Sequence, residues 1–144
     1  MDEPVGVGVV SAVAAPDALD ALVVPGRATA YRVADDELLL VCDRDVVDEV
    51  TRDVETRLTV SDPDAVVFDT SDGWAGVVLD GEDAELVFAR LSRVPLPAAG
   101  FIQCEVAHVP AKVLVEEGRI RVLVGSSLED HLRSRIAAAS GDGR

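Results

Sequence analysis

Apolar positions along the chain recur with two different spacings, and the change from one to the other marks out strands and helices. Beyond a first turn at Pro25-Gly26, Ala28–Val33 and Glu37–Cys42 flank Ala34-Asp35-Asp36, a pattern that predicts a two-stranded hairpin. Val46, Val47, Val50, Val54 and Leu58 then follow at helical spacing behind Asp43-Arg44-Asp45, whose acids suit the positive end of a helix. Ser61-Asp62-Pro63-Asp64 is a turn signal, and Ala65–Phe68 and Trp74–Leu79 read as strands on either side of Asp69–Gly73. Ala84, Val87, Phe88 and Leu91 fall at i, i+3, i+4 and i+7, which predicts a helix with one buried face, stopped by Pro95 and Pro97.

From Phe101 the period returns to two, with Ile102, Cys104 and Val106 on one face and Gln103 and Glu105 on the other. Pro110 interrupts this strand and Ala111–Val115 resumes it, before Glu117-Gly118 turns tightly into Arg119–Val124. Ser126 and Glu129 have the spacing of a capping box, opening a helix striped by Leu128, Leu132 and Ile136, and Ser140–Arg144 reads as a frayed tail. The predicted order is ββαββαββα. Strand pairs separated by helices imply an α+β fold, here two small units of mainly antiparallel sheet with helices packed on one face. The expected division is 1–62 and 63–144, without a strong residue-level repeat between the halves.

Composition narrows the partners. The chain has 144 residues of which 49% are apolar and 3% aromatic, so a core can form and must be filled by Val, Leu, Ala and Ile. Against 27 Asp and Glu stand 13 Lys and Arg, a formal net charge of −14. Nucleic acid and anionic membrane need clustered cations, so neither is expected as a partner. The apolar stretch Val5–Val24 does not read as a signal peptide, because Met1-Asp2-Glu3-Pro4 carries no cation and Pro16-Asp17 interrupts it. No uninterrupted apolar run reaches the roughly 20 residues that span a bilayer, and the expectation is a soluble, cytoplasmic protein.

Motifs that carry chemistry are few and incomplete. Asp80-Gly81 between a strand and a helix suggests a phosphate loop, but Glu82, Asp83 and Glu85 occupy the positive helix end, and a self-capped helix is the simpler reading. Gly6-Val7-Gly8 lacks the third glycine of a dinucleotide fingerprint, Ser11 standing in its place, and no strand is predicted before it. Asp43-x-Asp45 fails as a calcium loop because Asp48 and Val54 occupy the positions that need Gly and Glu. Cys42 and Cys104 sit in apolar runs and read as buried structural thiols. His108 is expected on the strand face of Cys104, which would permit a Cys–His pair, and His131 reads as a solvated helix residue. No catalytic, cofactor-binding or metal-binding residue is assigned on these grounds.

Residues 65–136 carry a resemblance. Asp69-Thr70-Ser71 after a strand, Gly81-Glu82-Asp83-Ala84 opening a helix, Leu91, Ala107-His108-Val109-Pro110-Ala111 and the capped segment Ser126–Leu132 together resemble the gamma subunit of heterotetrameric sarcosine oxidase. That subunit is similar to part of the folate-binding aminomethyltransferase family. The chain departs from the pattern at Gly125-Ser126, where the family tends to carry Arg-Ser. The resemblance implies a fold of two α+β units and the role of a non-catalytic accessory subunit. Flavin and oxidative chemistry would then reside on partner chains, with no cofactor of its own. Protein partners or self-association are expected. The alternative is a free-standing binder of tetrahydrofolate or another small molecule, for which Trp74, Asp69 and Glu105 supply an aromatic wall and carboxylates.

Overall fold

The computed structural model describes residues 6–116 and 118–141; the leader Met1–Pro4, Glu117 of the expected turn and the last three residues of the tail lie outside them. The chain divides into two units, Val5–Asp72 and a second built on Gly73–Arg144. Each carries a four-stranded antiparallel sheet.

In the first unit the stretch VGVVSAV, apolar at both parities, forms β1 (Val7–Val13). A strand with both faces apolar belongs in the middle of a sheet, and β1 lies between two neighbours. It is followed by α1 (Pro16–Ala21), β2 (Thr29–Ala34), β3 (Glu37–Asp43), α2 (Val47–Ser61) and β4 (Val66–Asp69), with strand order β2-β3-β1-β4. Neither β1 nor α1 was expected from the pattern. The 3.6 and 2.0 periods are hard to separate in a continuous apolar run, and Pro16 lies at the start of α1, where its missing N–H is harmless.

The core of this unit gathers Val10, Ala12, Leu38, Leu40 and Cys42 from the sheet with Ala18 and Leu19 of α1. The predicted stripe Val47, Val50, Val54 and Leu58 of α2 completes it. α2 starts through a 3₁₀ turn at Arg44–Val46, and no side chain caps it. Gly8 is required by close approach. A Cβ there would lie 2.9 Å from Cys42 Sγ, 3.0 Å from Val47 Cβ and 3.1 Å from Asp43 O. The unit runs on past the expected boundary at residue 62, because β4 hydrogen-bonds to β1 from Val13↔Val66 to Val10↔Asp69.

The second unit comprises β5 (Trp74–Asp80), α3 (Ala84–Leu91), β6 (Gly100–Val106), β7 (Val109–Glu116), β8 (Arg119–Gly125) and α4 (Glu129–Ser140). Its strand order is β5-β8-β7-β6. The predicted face of α3 is the buried one: Ala84, Val87, Phe88 and Leu91 pack with Ala75, Val77 and Leu79 of β5 and Val113, Ile120, Val122 and Val124 of the neighbouring strands. Leu132 of α4 is fully buried, with Leu128 and Ile136 packed on the same core.

Three local features differ from what the pattern predicts. The strand predicted to run through Pro110 is two strands, reversed at Ala107-His108, whose φ values of 54° and 69° suit a two-residue hairpin turn. Pro110 stands beyond the β7–β8 pairs, which begin at Lys112↔Leu123, so its missing N–H breaks no bond there. Ser126 and Glu129 form no capping box: Ser126–Leu128 is a 3₁₀ turn, and Glu129 opens α4 and pairs with Arg133 at 2.9 Å. α3 likewise starts only at Ala84, without a side-chain cap.

The two units share one path. A strand, a helix, a hairpin, a 3₁₀ turn and a helix appear as β1-α1-β2-β3-α2 and again as β5-α3-β7-β8-α4. In both, the first strand pairs with the last over seven residues, Val7↔Asp43 to Val13↔Glu37 and Trp74↔Gly125 to Asp80↔Arg119. What differs is the added edge strand. β4 joins beside β1 in the first unit, and β6 joins beside β7 in the second.

Candidate functional site

The sheet of the second unit turns Ala75, Val77, Ala111, Val113, Val122 and Val124 toward its helices. Alternation then places Trp74, Lys112, Pro110, Gln103 and Glu105 on the other face. The register aligns them. Trp74 is opposite Gly125, Gln103 opposite Lys112, and Glu105 opposite Pro110. Gly125 has no side chain to fill the space beside Trp74. The result is a recess of about 300 Å³ lined by Trp74, Gln103, Cys104, Glu105, Pro110, Ala111 and Lys112.

The Lys112 ammonium lies 5.3 Å from the centroid of the Trp74 ring and donates to Gln103 Oε1 at 2.7 Å. This cation–π contact fixes the ring and one wall of the recess. A flat ring surface, a cation, an amide and a carboxylate can hold a planar, polar-edged molecule. Lys112 and Gln103 were missed from the sequence. The available signal was that Lys112 is the one lysine among 13 basic residues.

The other nominated residues fall elsewhere. Cys104 borders the recess, but its Sγ lies 4.0 Å from Ser92 Oγ and the residue packs against the helix-side core. His108 stands exposed in the β6–β7 turn, so the expected face shared with Cys104 does not exist. That turn is held from both helices: Ala107 donates its N–H to Leu91 O at 2.8 Å, and His131 donates Nε2–H to Ala107 O at 2.9 Å. His131, exposed on α4 as expected, thus also holds this turn.

Asp69 does not line the recess. In the first unit its Oδ1 accepts the Ser71 N–H at 2.8 Å, and Ser71 Oγ, fully buried, accepts the Val9 N–H at 2.8 Å. Thr70 donates its N–H to Val9 O at 2.8 Å. Asp69-Thr70-Ser71 is therefore a latch that ends β4 and ties it to β1.

The stretch after Asp80 lines a hollow of about 370 Å³ with Glu82, Glu85, Glu116 and Arg119 around Gly81, whose φ of 87° makes the turn. Carboxylates at its mouth oppose a phosphate. A larger open groove of about 680 Å³ runs along α3 between Glu85 and Leu96. Among the described residues no cluster of His, Cys, Asp and Glu suits a metal ion, and no helix is long and apolar enough to cross a membrane.

The fold and the recess define the class: an α+β protein of two antiparallel units on a doubled strand–helix–hairpin–helix path. A solved structure that shares this fold is heterotetrameric sarcosine oxidase from Corynebacterium sp. U-96 in complex with pyrrole 2-carboxylate. The match has a TM-score of 0.77 and 18% sequence identity, and covers 97% of this chain and 82% of that chain. No family model matches the sequence, and no curated protein matches it.

Proposed function

We propose that the chain is a non-catalytic accessory subunit that assembles with flavoprotein chains in amine or one-carbon oxidation. The observation that carries this reading is the shared fold across 97% of the chain with a heterotetrameric sarcosine oxidase. The resemblance of residues 65–136 to the gamma subunit of such enzymes points the same way. The nominated chemical groups have structural work of their own: Asp69 holds Ser71, Cys104 packs on the core and His131 holds a turn. On this reading the chain binds no cofactor of its own and resides in the cytoplasm with its partners.

The test is purification from the native organism under mild conditions. Co-elution with chains that carry flavin absorbance supports the proposal, and the separated chain is expected to be colourless and inert toward sarcosine and toward transfer of a one-carbon unit to tetrahydrofolate. Turnover by the separated chain overturns it. A second reading, a binder of tetrahydrofolate or another small molecule, is favoured by the meeting of Trp74, Lys112 and Glu105 in one recess. Trp74 is the chain's one tryptophan, so its fluorescence reports on that recess directly. Saturable quenching by tetrahydrofolate that Trp74 substitution abolishes supports this second reading.

A further inference from the structure

β4 lies at the edge of the first unit's sheet, with one side turned away from β1. Among the described residues it pairs with β1 and with no other strand. The N–H of Thr70 points inward to Val9 O, so antiparallel alternation turns Phe68 and Val66 inward as well. The N–H and C=O groups of Val67 and Asp69 are left directed at the free edge. Val67 is buried on the helix-side core, whereas Val66 and Phe68, on the opposite face, are 54% and 44% exposed. Sheet edges are ordinarily blunted by shortness, charge, proline or a bulge. β4 is short, at four residues, and ends in the exposed Asp69, but Val66-Val67-Phe68 carries no charge or proline and the register with β1 runs without a shift.

Charge selects the occupant. Asp64 precedes the strand, and Asp69 and Asp72 follow it, all exposed. Arg44 pairs with Asp72, and Asp69 also accepts from Ser71. A second copy would bring the same acids, and a charge of −14, against this edge. We infer that β4 takes an added strand from a partner chain, an extended segment in which apolar residues facing Val66 and Phe68 alternate with or are flanked by arginines facing Asp64 and Asp69. Such strand addition draws affinity from the backbone groups of Val67 and Asp69 and specificity from the side chains. The inference rests on the subunit reading for the origin of that segment, and its first test does not.

The probe is a terminally blocked hexapeptide of alternating arginine and valine, with a control in which one central valine is proline. Amide hydrogen exchange is followed by NMR on the full chain at millimolar peptide. The Val67 and Asp69 amides are expected to gain protection of about 10-fold or more. The inward Phe68 amide should stay unchanged, and the control peptide should have no effect. Val66→Lys/Phe68→Lys, whose substituted side chains are exposed and whose folding is checked by circular dichroism, should lose the effect. Unchanged exchange at Val67 and Asp69, or equal protection of all four β4 amides, overturns the inference. So does sedimentation of the chain alone as a dimer that Phe68→Lys dissolves, because a second copy then occupies the edge. If the native complex is isolated and Val67 and Asp69 exchange in it as fast as in the free chain, the docking strand is refuted while the subunit reading stands. If the chain purifies alone, the subunit reading fails and the peptide result decides the edge.

Discussion

Replacing Ser71 by alanine removes one oxygen atom and strands a backbone N–H. Ser71 and Val9 are both fully buried, and Ser71 Oγ is the acceptor for the Val9 N–H at 2.8 Å. The same hydroxyl lies 3.4 Å from Val9 O, a carbonyl that already accepts from Thr70 N–H. The loss therefore falls on the donor. An unsatisfied buried N–H costs about 1–3 kcal/mol. For a chain of this size about 2 kcal/mol lowers Tm by about 4–8 °C. The assay is thermal unfolding by circular dichroism with amide exchange read at Val9. Thr70→Val is the control. It deletes the 3.2 Å contact from Thr70 Oγ1 to Val9 O but leaves the backbone bond to that carbonyl, and should cost less than about 1 kcal/mol. A Ser71→Ala protein that melts within a degree of wild type, with Val9 still protected, would refute the latch. If Thr70→Val proved the more damaging of the pair, the reasoning about which group is orphaned would be wrong.

Phe88, 2% exposed in the second core, should lose about 3–5 kcal/mol on truncation to alanine, measured by urea unfolding; a wild-type midpoint would mean that this face of α3 is not buried. Gly8→Ala should destabilise by about 1–3 kcal/mol through its contacts with Cys42 Sγ, Val47 Cβ and Asp43 O. Adding Cys42→Ala should recover only part of that, since two of the three close atoms remain; full recovery would show that the sulfur alone sets the spacing. Lys112→Met removes the cation from the Trp74 ring, and a shift in tryptophan emission is expected with a change of about 0.5–1 kcal/mol in stability, while unchanged emission would place the ammonium elsewhere in solution.

How much of this was legible depended on range. The stripes of α2 and α3 and the β2–β3 hairpin follow from local spacing, because burying one face of a helix or strand imposes its period on adjacent residues. The α+β class followed from the order of those elements. β1 was hidden because a central strand buried on both faces has no alternation to display, and Gly8 looked like a fragment of a nucleotide motif until α2 was seen against it. The turn at Ala107-His108 carries neither Gly nor Asn. Its positive φ values are those a two-residue hairpin turn demands, and it is held by hydrogen bonds from Ala107 N–H to Leu91 O and from His131, partners distant in sequence.

The candidate site divides in the same way. Trp74 and Glu105 could be nominated singly from their residue types, but their meeting with Lys112 depends on the order β5-β8-β7-β6, in which β8 and β7 separate β5 from β6. Asp69 carried the same nomination, and the structure spends it on the latch to Val9. Residue order alone determined which faces are apolar and where the chain must turn, since those are properties of neighbours. Which strands lie side by side, and so which distant side chains share a recess or an open edge, was decided by pairing register and core packing between segments far apart in the chain.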